Sequence, residues 1–348
     1  MKKIKVIASS NISHGSQIIT GFLMLRNQGY EVEVIDQTED ASNPFYDLPV
    51  VLAEYRGKKL FYDLWDGYNN PEDAQRGLDW CDFCFRRSFD EKRNAHFFGD
   101  DAKKIHPLGF NYHLTCKDDP IHEVWWKALV KPFLGRMPDK YFTYEKFEGK
   151  PMPLTDEPPK ILFLTRLWAE EPDLPEEVNA ERRQINQDRI AFIRTLKERY
   201  GDAFLGGLQN MPIARELAPD LIAPKKYTER RHYLRLLHSS DICIGTIGLF
   251  ESIGWKTAEY VAAAKAIVNE RLHYTVPGDF REGVNYLSFE TTQECLDAVE
   301  ALVQSPEKRL AMQQANAGYY ATWMKPDVMI KHTLELVDAY CNSQPDVL

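Results

Sequence analysis

The run Glu251-Ser-Ile-Gly-Trp-Lys-Thr-Ala-Glu259-Tyr-Val-Ala-Ala-Ala-Lys265-Ala-Ile-Val268 decides how this chain is read. It sets two carboxylates astride a helix start. The eight steps between them turn through about 800° on a helix, so two glutamates inside one helix would not share a face. Placing Glu251 in the preceding loop removes that difficulty, and both carboxylates then flank one elongated ligand. Between them Gly254 allows close backbone approach, and the amides of a first helical turn favour an anion. A diphosphate fits such a place. The competing reading is an amphipathic helix with two incidental acids.

Outward from this run the chain alternates strand and helix signals. Residues 160–166, Lys-Ile-Leu-Phe-Leu-Thr-Arg, read as a buried strand followed by a polar, acidic loop. A helix over 187–200, a strand over 203–206, a helix over 229–238 capped by Thr228, and a strand over 241–245 lead into the two-glutamate element. Residues 146–159 are rich in proline and charge and read as a linker. Before it, 4–8 is apolar and β-prone, 16–27 has helical spacing closed by Gly29, and 30–36 alternates as a strand. Residues 50–55 and 59–65 flank Arg56-Gly57-Lys58 as two tightly joined strands do. Further strands are predicted at 83–86 and 106–110, and a last helix over 327–340 after the breaker at Pro326. The organisation predicted is α/β: a Rossmann-like unit over 1–145, a linker over 146–159, a second Rossmann-like unit over 160–325, and a terminal helix over 326–348. Ligands then bind at the carboxyl ends of the strands.

Composition narrows the function classes. A chain of 348 residues suits two α/β domains, and a formal net charge of -9 disfavours bulk binding to nucleic acid. No apolar run approaches the length of a membrane span, and the apolar stretch after Met1-Lys-Lys is too short for a signal peptide. Six scattered cysteines argue for a reducing cytoplasm rather than a disulfide scaffold. Cys81-Asp-Phe-Cys84 has redox or zinc spacing, but no second pair completes a tetrahedral site, and its aromatic flanks read as a strand.

The 251–268 run resembles the C-terminal signature of retaining GT-B glycosyltransferases of the Glu-x7-Glu type, the group 1 or family 4-like enzymes. Glu251, Gly254, Glu259 and Lys265 fall in register with it. The sequence departs from the pattern at Ala264-Lys265-Ala266, where the family has Gly-Lys-Pro, and at 246–250, which is Thr-Ile-Gly-Leu-Phe instead of Pro- and Ser-rich. The resemblance is strongest over 160–289; over 1–145 it is one of layout. It implies two Rossmann-like domains facing a cleft, with the C-terminal helix crossing back to the first. It implies an enzyme moving a sugar from a nucleotide-sugar donor to a glycan, glycolipid or other acceptor, with retention, as in polysaccharide or cell-envelope assembly, with the nucleotide sugar as substrate and no metal or cofactor. Glu251 would approach the donor sugar's hydroxyls and Glu259 hold the ribose. Thr246, Gly248, Ile253 and Gly254 would meet the diphosphate.

The resemblance makes Arg166, at the end of the first strand of the second unit, a ligand of the donor phosphate, for which its planar fork is suited. The family's following lysine is replaced by an acidic stretch, so a second cation must come from Lys256, Arg182 or Arg183. In the first unit, His14 and Gly15 lie in a predicted strand-to-helix loop over 9–16. Arg86 and His113 follow predicted strands at the edge where ligands bind. Family precedent puts a sugar-contacting histidine there: His113 is the choice and His106 the reserve, with a structural histidine the competing reading for both. Residues 124–134 mix tryptophan with lysine as interfacial helices do, so Trp125, Trp126 and Lys127 are candidates for peripheral contact with the inner face of a membrane, with packing between domains the competing reading. Two other readings stand beside the transferase: a sugar-nucleotide epimerase or hydrolase on the same fold, and a non-catalytic nucleotide-sugar-binding subunit.

Overall fold

The computed structural model describes residues 2–9, 12–117, 119–120 and 142–343. The chain divides into two compact units, one of Met1–Lys146, Tyr274–Gly278 and Ala321–Leu348, the other of Phe147–His273 and Asp279–Tyr320.

The first unit is built on six strands: β1 (Lys2–Ala8), β2 (Tyr30–Asp36), β3 (Val50–Tyr55), β4 (Lys58–Asp63), β5 (Phe83–Arg86) and β6 (Ile105–Pro107), in the order β2-β1-β3-β4-β5-β6. β1 runs parallel to β2, and β4, β5 and β6 run parallel to one another. The β3 strand is antiparallel to both neighbours. The reversal comes from the tight turn at Arg56-Gly57, where both residues have positive φ (52° and 73°), as two-residue hairpins require. Between β1 and β2 the helix Ile12–Leu25 buries Ile18, Ile19, Phe22 and Leu23, and Gly29 at φ 88° closes its last turn. The terminal helix Pro326–Ser343 packs on it so closely that a Cβ on Gly21 would lie 2.3 Å from the Pro326 carbonyl. Buried Tyr62 and Thr333 are joined by a 2.8 Å hydroxyl–hydroxyl hydrogen bond, fixing the register between that helix and the sheet.

The second unit carries five parallel strands, β7 (Ile161–Thr165), β8 (Phe204–Leu208), β9 (Ile242–Gly245), β10 (Ala266–Glu270) and β11 (Leu287–Phe289), in the order β11-β10-β9-β7-β8. Ile242 to Gly245 and Ala266 to Asn269 are wholly buried, the continuous burial of strands covered on both faces. Strand order reverses between β7 and β9, which defines a topological switch point at their carboxyl ends. The α/β class with two Rossmann-like units is thus what the sequence predicts, with β3 as an antiparallel insertion in the first sheet.

Several predicted bounds shift. The helix placed at 187–200 spans Glu176–Tyr200, because its first half buries polar residues that hide the usual apolar period. The helix placed at 229–238 is Arg230–Ser239, and the Thr228 hydroxyl bonds back to the Lys225 carbonyl instead of capping it. The helix after β1 begins at Ile12, so His14 and Gly15 are helical and not in a loop. Residues 147–160 hold no helix or strand, yet Phe147 is buried and the Gly149 amide donates to Ala262 at 3.0 Å. Among the described residues no helix is long and apolar enough to cross a membrane. Trp125, Trp126 and Lys127 lie outside the described residues.

Candidate functional site

In the second unit, the helix Glu176–Tyr200 explains how the switch point is furnished. Its buried face runs Asn179, Arg182, Asn186, Arg189, then Phe192, Ile193, Leu196, one stripe at three- and four-residue spacing. The apolar part covers the sheet, while the polar part engages the loops beyond the strands. Asn186 bonds the backbone N–H and carbonyl of Trp168 at 2.8 Å each, and Asn179 does the same for Glu171. Buried Arg189 donates to the Arg166 carbonyl (2.7 Å), the Ile247 carbonyl (2.9 Å) and the Thr246 hydroxyl (3.2 Å). One guanidinium therefore joins the ends of β7 and β9. Burial pulls its pKa down to about 10, still far above neutrality, so it stays charged.

The loop after β9 is shaped by carboxylates acting on backbone amides. Glu270 accepts from Ile247 N–H at 2.7 Å, and burial pushes its carboxyl up to about 7 against the pull of that amide and of Arg189. Glu181 accepts from Phe250 N–H at 2.7 Å and is also raised, chiefly by burial. Phe250 and Glu251 both adopt left-handed conformations, φ 57° and 60°, which cost on the order of 1–3 kcal/mol each in a non-glycine residue. Gly248 N–H is taken by the Ser252 carbonyl and Ser252 N–H by Leu249. Gly254 then precedes the helix Trp255–Ala262, and a Cβ there would lie 2.9 Å from the Thr246 carbonyl. The amides of Ile247, Gly248, Phe250 and Ser252 are therefore spent within the protein. Thr246 and Ile253 are nearly enclosed.

Glu251 comes out of the strained turn partly exposed, its Oε1 3.6 Å from Nδ1 of His273, with both side chains a little over one-third exposed. Arg166 is exposed and lies over the Trp168 ring, 3.9 Å from its centroid.

Glu259 is placed differently from a surface ribose ligand. Its side chain is 5% exposed and accepts from Arg230 (3.1 Å), Lys256 (3.2 Å) and the Tyr233 hydroxyl. Burial alone would raise its carboxyl, but Lys256 and Arg230 outweigh this and hold it low and ionised. Lys256 also sits 3.3 Å from the centroid of the Tyr233 ring. Arg182 serves the Ala169 carbonyl and Glu171, and Arg183 serves Glu170 and Glu176, so each of the three candidates for a second cation holds its own carboxylate. Lys265 is buried and donates to the His238 carbonyl at 2.8 Å, a structural task.

The first unit's carboxyl edge gathers several predicted residues but gives them other work. Arg86, expected to face a ligand, is a buried ion pair: it reaches Asp63 at 2.7 Å and the Gly67 carbonyl at 2.9 Å, and lies over the Tyr68 ring at 4.2 Å. A strand end enclosed by the 63–68 loop leaves it no path to solvent. Arg87 pairs with Asp66 at 2.5 Å, and Asp66 remains 41% exposed. Half-buried His14 is lowered by burial and by Arg87, and its carbonyl accepts from Asn111 at 2.9 Å. Gly15 faces Val51, 2.7 Å from where its Cβ would lie, so it serves packing. His106 stacks between Phe83 and Phe85 and is lowered by burial; His113 stacks on Phe142 at 4.8 Å. Cys81 and Cys84 are both buried with thiols pushed up, Cys81 to about 12, as strand packing predicts.

Sequence reasoning missed Arg189, Glu181, Glu270 and His273. A signal for Arg189 existed in the polar half-stripe of the helix, since an arginine at helical spacing from Asn179, Arg182 and Asn186 marks a face turned to loops, whereas Glu181 lies off that stripe. Glu270 and His273 follow an apolar strand and carry no spacing signal.

No protein-family model matches the chain, and no curated protein matches it in sequence. Solved structures resemble it in fold. Anabaena Alr3699/HepE in complex with UDP-glucose is 9% identical, with 97% of this chain and 100% of that one covered, at a TM-score of 0.47. An S. aureus MnaA–UDP structure is 13% identical, covering 98% and 97%, at 0.44. The C-terminal domain of the glycosyl transferase group 1 family protein LpcC from Francisella tularensis is 12% identical, covering 52% of this chain and 97% of that domain, at 0.36.

Proposed function

We propose that the protein is a nucleotide-sugar-dependent glycosyltransferase of the retaining GT-B type that binds its donor at the switch point of the second sheet. The observation that carries this reading is the meeting, through Arg189, of exposed Arg166 with the glycine-containing turn 246–254 at the ends of β7 and β9. That place combines the crevice where α/β sheets take ligands, a bidentate cation for a phosphate, and a helix start. Arg166 meets the leaving diphosphate, and the start of Trp255–Ala262 adds its dipole, so the reading calls for no metal. Glu251 positions the donor sugar. The spent amides of the 246–252 loop make Arg166 and the helix start, rather than that loop, the principal phosphate ligands. Ribose contact by Glu259 requires Lys256 or Tyr233 to yield part of its carboxylate. Acceptor-side roles for His14 and His113 belong to the same proposal, with a glycan or lipid-linked acceptor.

A ligand that binds only the native state raises its melting temperature. We expect one of UDP-, GDP-, ADP-, CMP- or dTDP-sugars to raise it selectively in a thermal-shift panel, and Arg166→Ala to abolish that rise. A wild-type protein indifferent to the whole panel overturns the reading. With the donor identified, Glu251→Gln is expected to keep nucleotide binding and lose transfer in a product assay.

A further inference from the structure

We infer that His273 is the second half of a sugar-binding subsite with Glu251, made to hold neighbouring hydroxyls of the donor's pyranose. The inference rests on the donor site proposed above and adds to it a residue, His273, that the resemblance does not assign.

Two independent features meet here. The first is strain with a visible cause: Phe250 and Glu251 are successive left-handed residues, and a half-buried carboxylate from another helix, Glu181, grips the Phe250 amide at 2.7 Å to keep them so. Backbone held off its preferred conformation by surrounding structure concentrates where a side chain must be aimed. What is aimed is Glu251.

The second is the group it is aimed at. Nδ1 of His273 stands 3.6 Å from Oε1 of Glu251, close enough for electrostatic pairing but longer than a direct hydrogen bond. Two polar groups at that spacing suit the two oxygens of a vicinal diol. A carboxylate has about four lone-pair positions and only accepts, whereas an imidazole can donate or accept. One sugar hydroxyl donates to Glu251 while the neighbouring one bonds His273. Both side chains are a little over one-third exposed, so each can be reached.

Other charged groups stand around the pair. Glu181 faces Glu251 from the helix Glu176–Tyr200 and repels it, while Glu270 and Arg271 precede His273 on the same strand exit, with Arg271 drawn to Glu290 at 3.2 Å.

The test separates the sugar from the nucleotide. Dissociation constants are measured by calorimetry for UDP, GDP and ADP, and for UDP-glucose, GDP-mannose and ADP-glucose, with wild type, His273→Gln and Glu251→Gln. The expected result is that both variants keep the wild-type constant for the bare nucleoside diphosphate, which also shows them folded. The ratio of nucleotide-sugar to nucleotide affinity falls about tenfold or more, the size of one hydrogen bond to a charged group. Should His273→Gln keep the wild-type ratio while nucleotide binding persists, the subsite is overturned and the donor site stands. Should the wild type bind none of the six ligands and no CMP- or dTDP-sugar either, both fall.

Discussion

The carboxyl edges of the two sheets use charge in opposite ways. In the first unit, arginine meets aspartate: Arg86 with Asp63 and Arg87 with Asp66 join the 63–68 loop to the end of β5 by side-chain pairs, the former pair wholly buried. In the second, Arg189, Glu181 and Glu270 spend their charge on backbone carbonyls and amides. Side-chain pairing neutralises charge and closes an edge. Backbone pairing leaves peptide geometry as the thing being controlled, and Arg166, Glu251 and His273 at this edge keep side-chain surface exposed to solvent. The contrast explains why the second edge is the better candidate for ligand chemistry although both edges hold ionisable groups.

The largest effect that sharpens this contrast is expected from Asp63→Ala. Removing one partner of a buried pair strands the other charge, so a loss of about 3–5 kcal/mol is expected in denaturant unfolding of the first unit. Asp63→Leu combined with Arg86→Met should recover much of it. A small loss in the single variant would mean that the first edge is not closed by charge.

Next in size is a pH effect at the second edge. The Glu270 carboxyl titrates at about 7 in the folded protein, above its value in an unfolded chain. The folded state therefore holds a proton that the unfolded state releases, and stability falls as pH rises from about 4.5 to about 7, then levels, by at most about 3 kcal/mol. Glu270→Gln should flatten that slope in thermal scans across the same window. A slope unchanged by the substitution would detach Glu270 from the loop.

Smaller again is Glu181→Gln, which weakens a charge-assisted bond to Phe250 N–H by about 1–2 kcal/mol and is expected to speed hydrogen exchange at that amide. Smallest is Ala264→Gly. Ala264 has φ 54° at the end of the helix Trp255–Ala262, and the amides of Ala264 and Lys265 return to Val261 and Tyr260, the doubly bonded helix ending that normally takes glycine. Relief of about 1–2 kcal/mol of strain is offset by a buried methyl of about 0.8 and added chain entropy of about 0.5–1. The net change should lie within about 0.5 kcal/mol of zero, whereas Ala258→Gly, in mid-helix, should cost clearly more.

What the sequence shows, and where it stops, follows from the range of each interaction. Strand runs such as 161–165, the hairpin at Arg56-Gly57, the helix end at Gly29 and the helix start after Gly254 were legible because their causes lie within a few residues. The start of Glu176–Tyr200 was not, since Asn179, Arg182 and Asn186 are buried by loops that local pattern cannot see. Among site residues, the exposure of Arg166 and the loop position of Glu251 follow from strand and helix ends. The enclosure of Glu259 by Arg230 and Tyr233, the burial of Arg86 against Asp63, and the pairing of His273 with Glu251 join residues 22–29 positions apart, and no spacing rule reaches that far.

The terminal helix Pro326–Ser343 has a bearing on how the protein is made. It lies against the helix that follows the first strand, with Asp338 bonded to Lys2, Tyr55 and Arg56 and Asp327 to Gln28. During synthesis the ribosome delivers the first unit's opening strands long before this partner, and completes the whole intervening unit in between. The surface around Gly21 and Tyr62 must wait uncovered through that interval. A chain halted near residue 320 would therefore present an open apolar face to chaperones while its second unit is already closed.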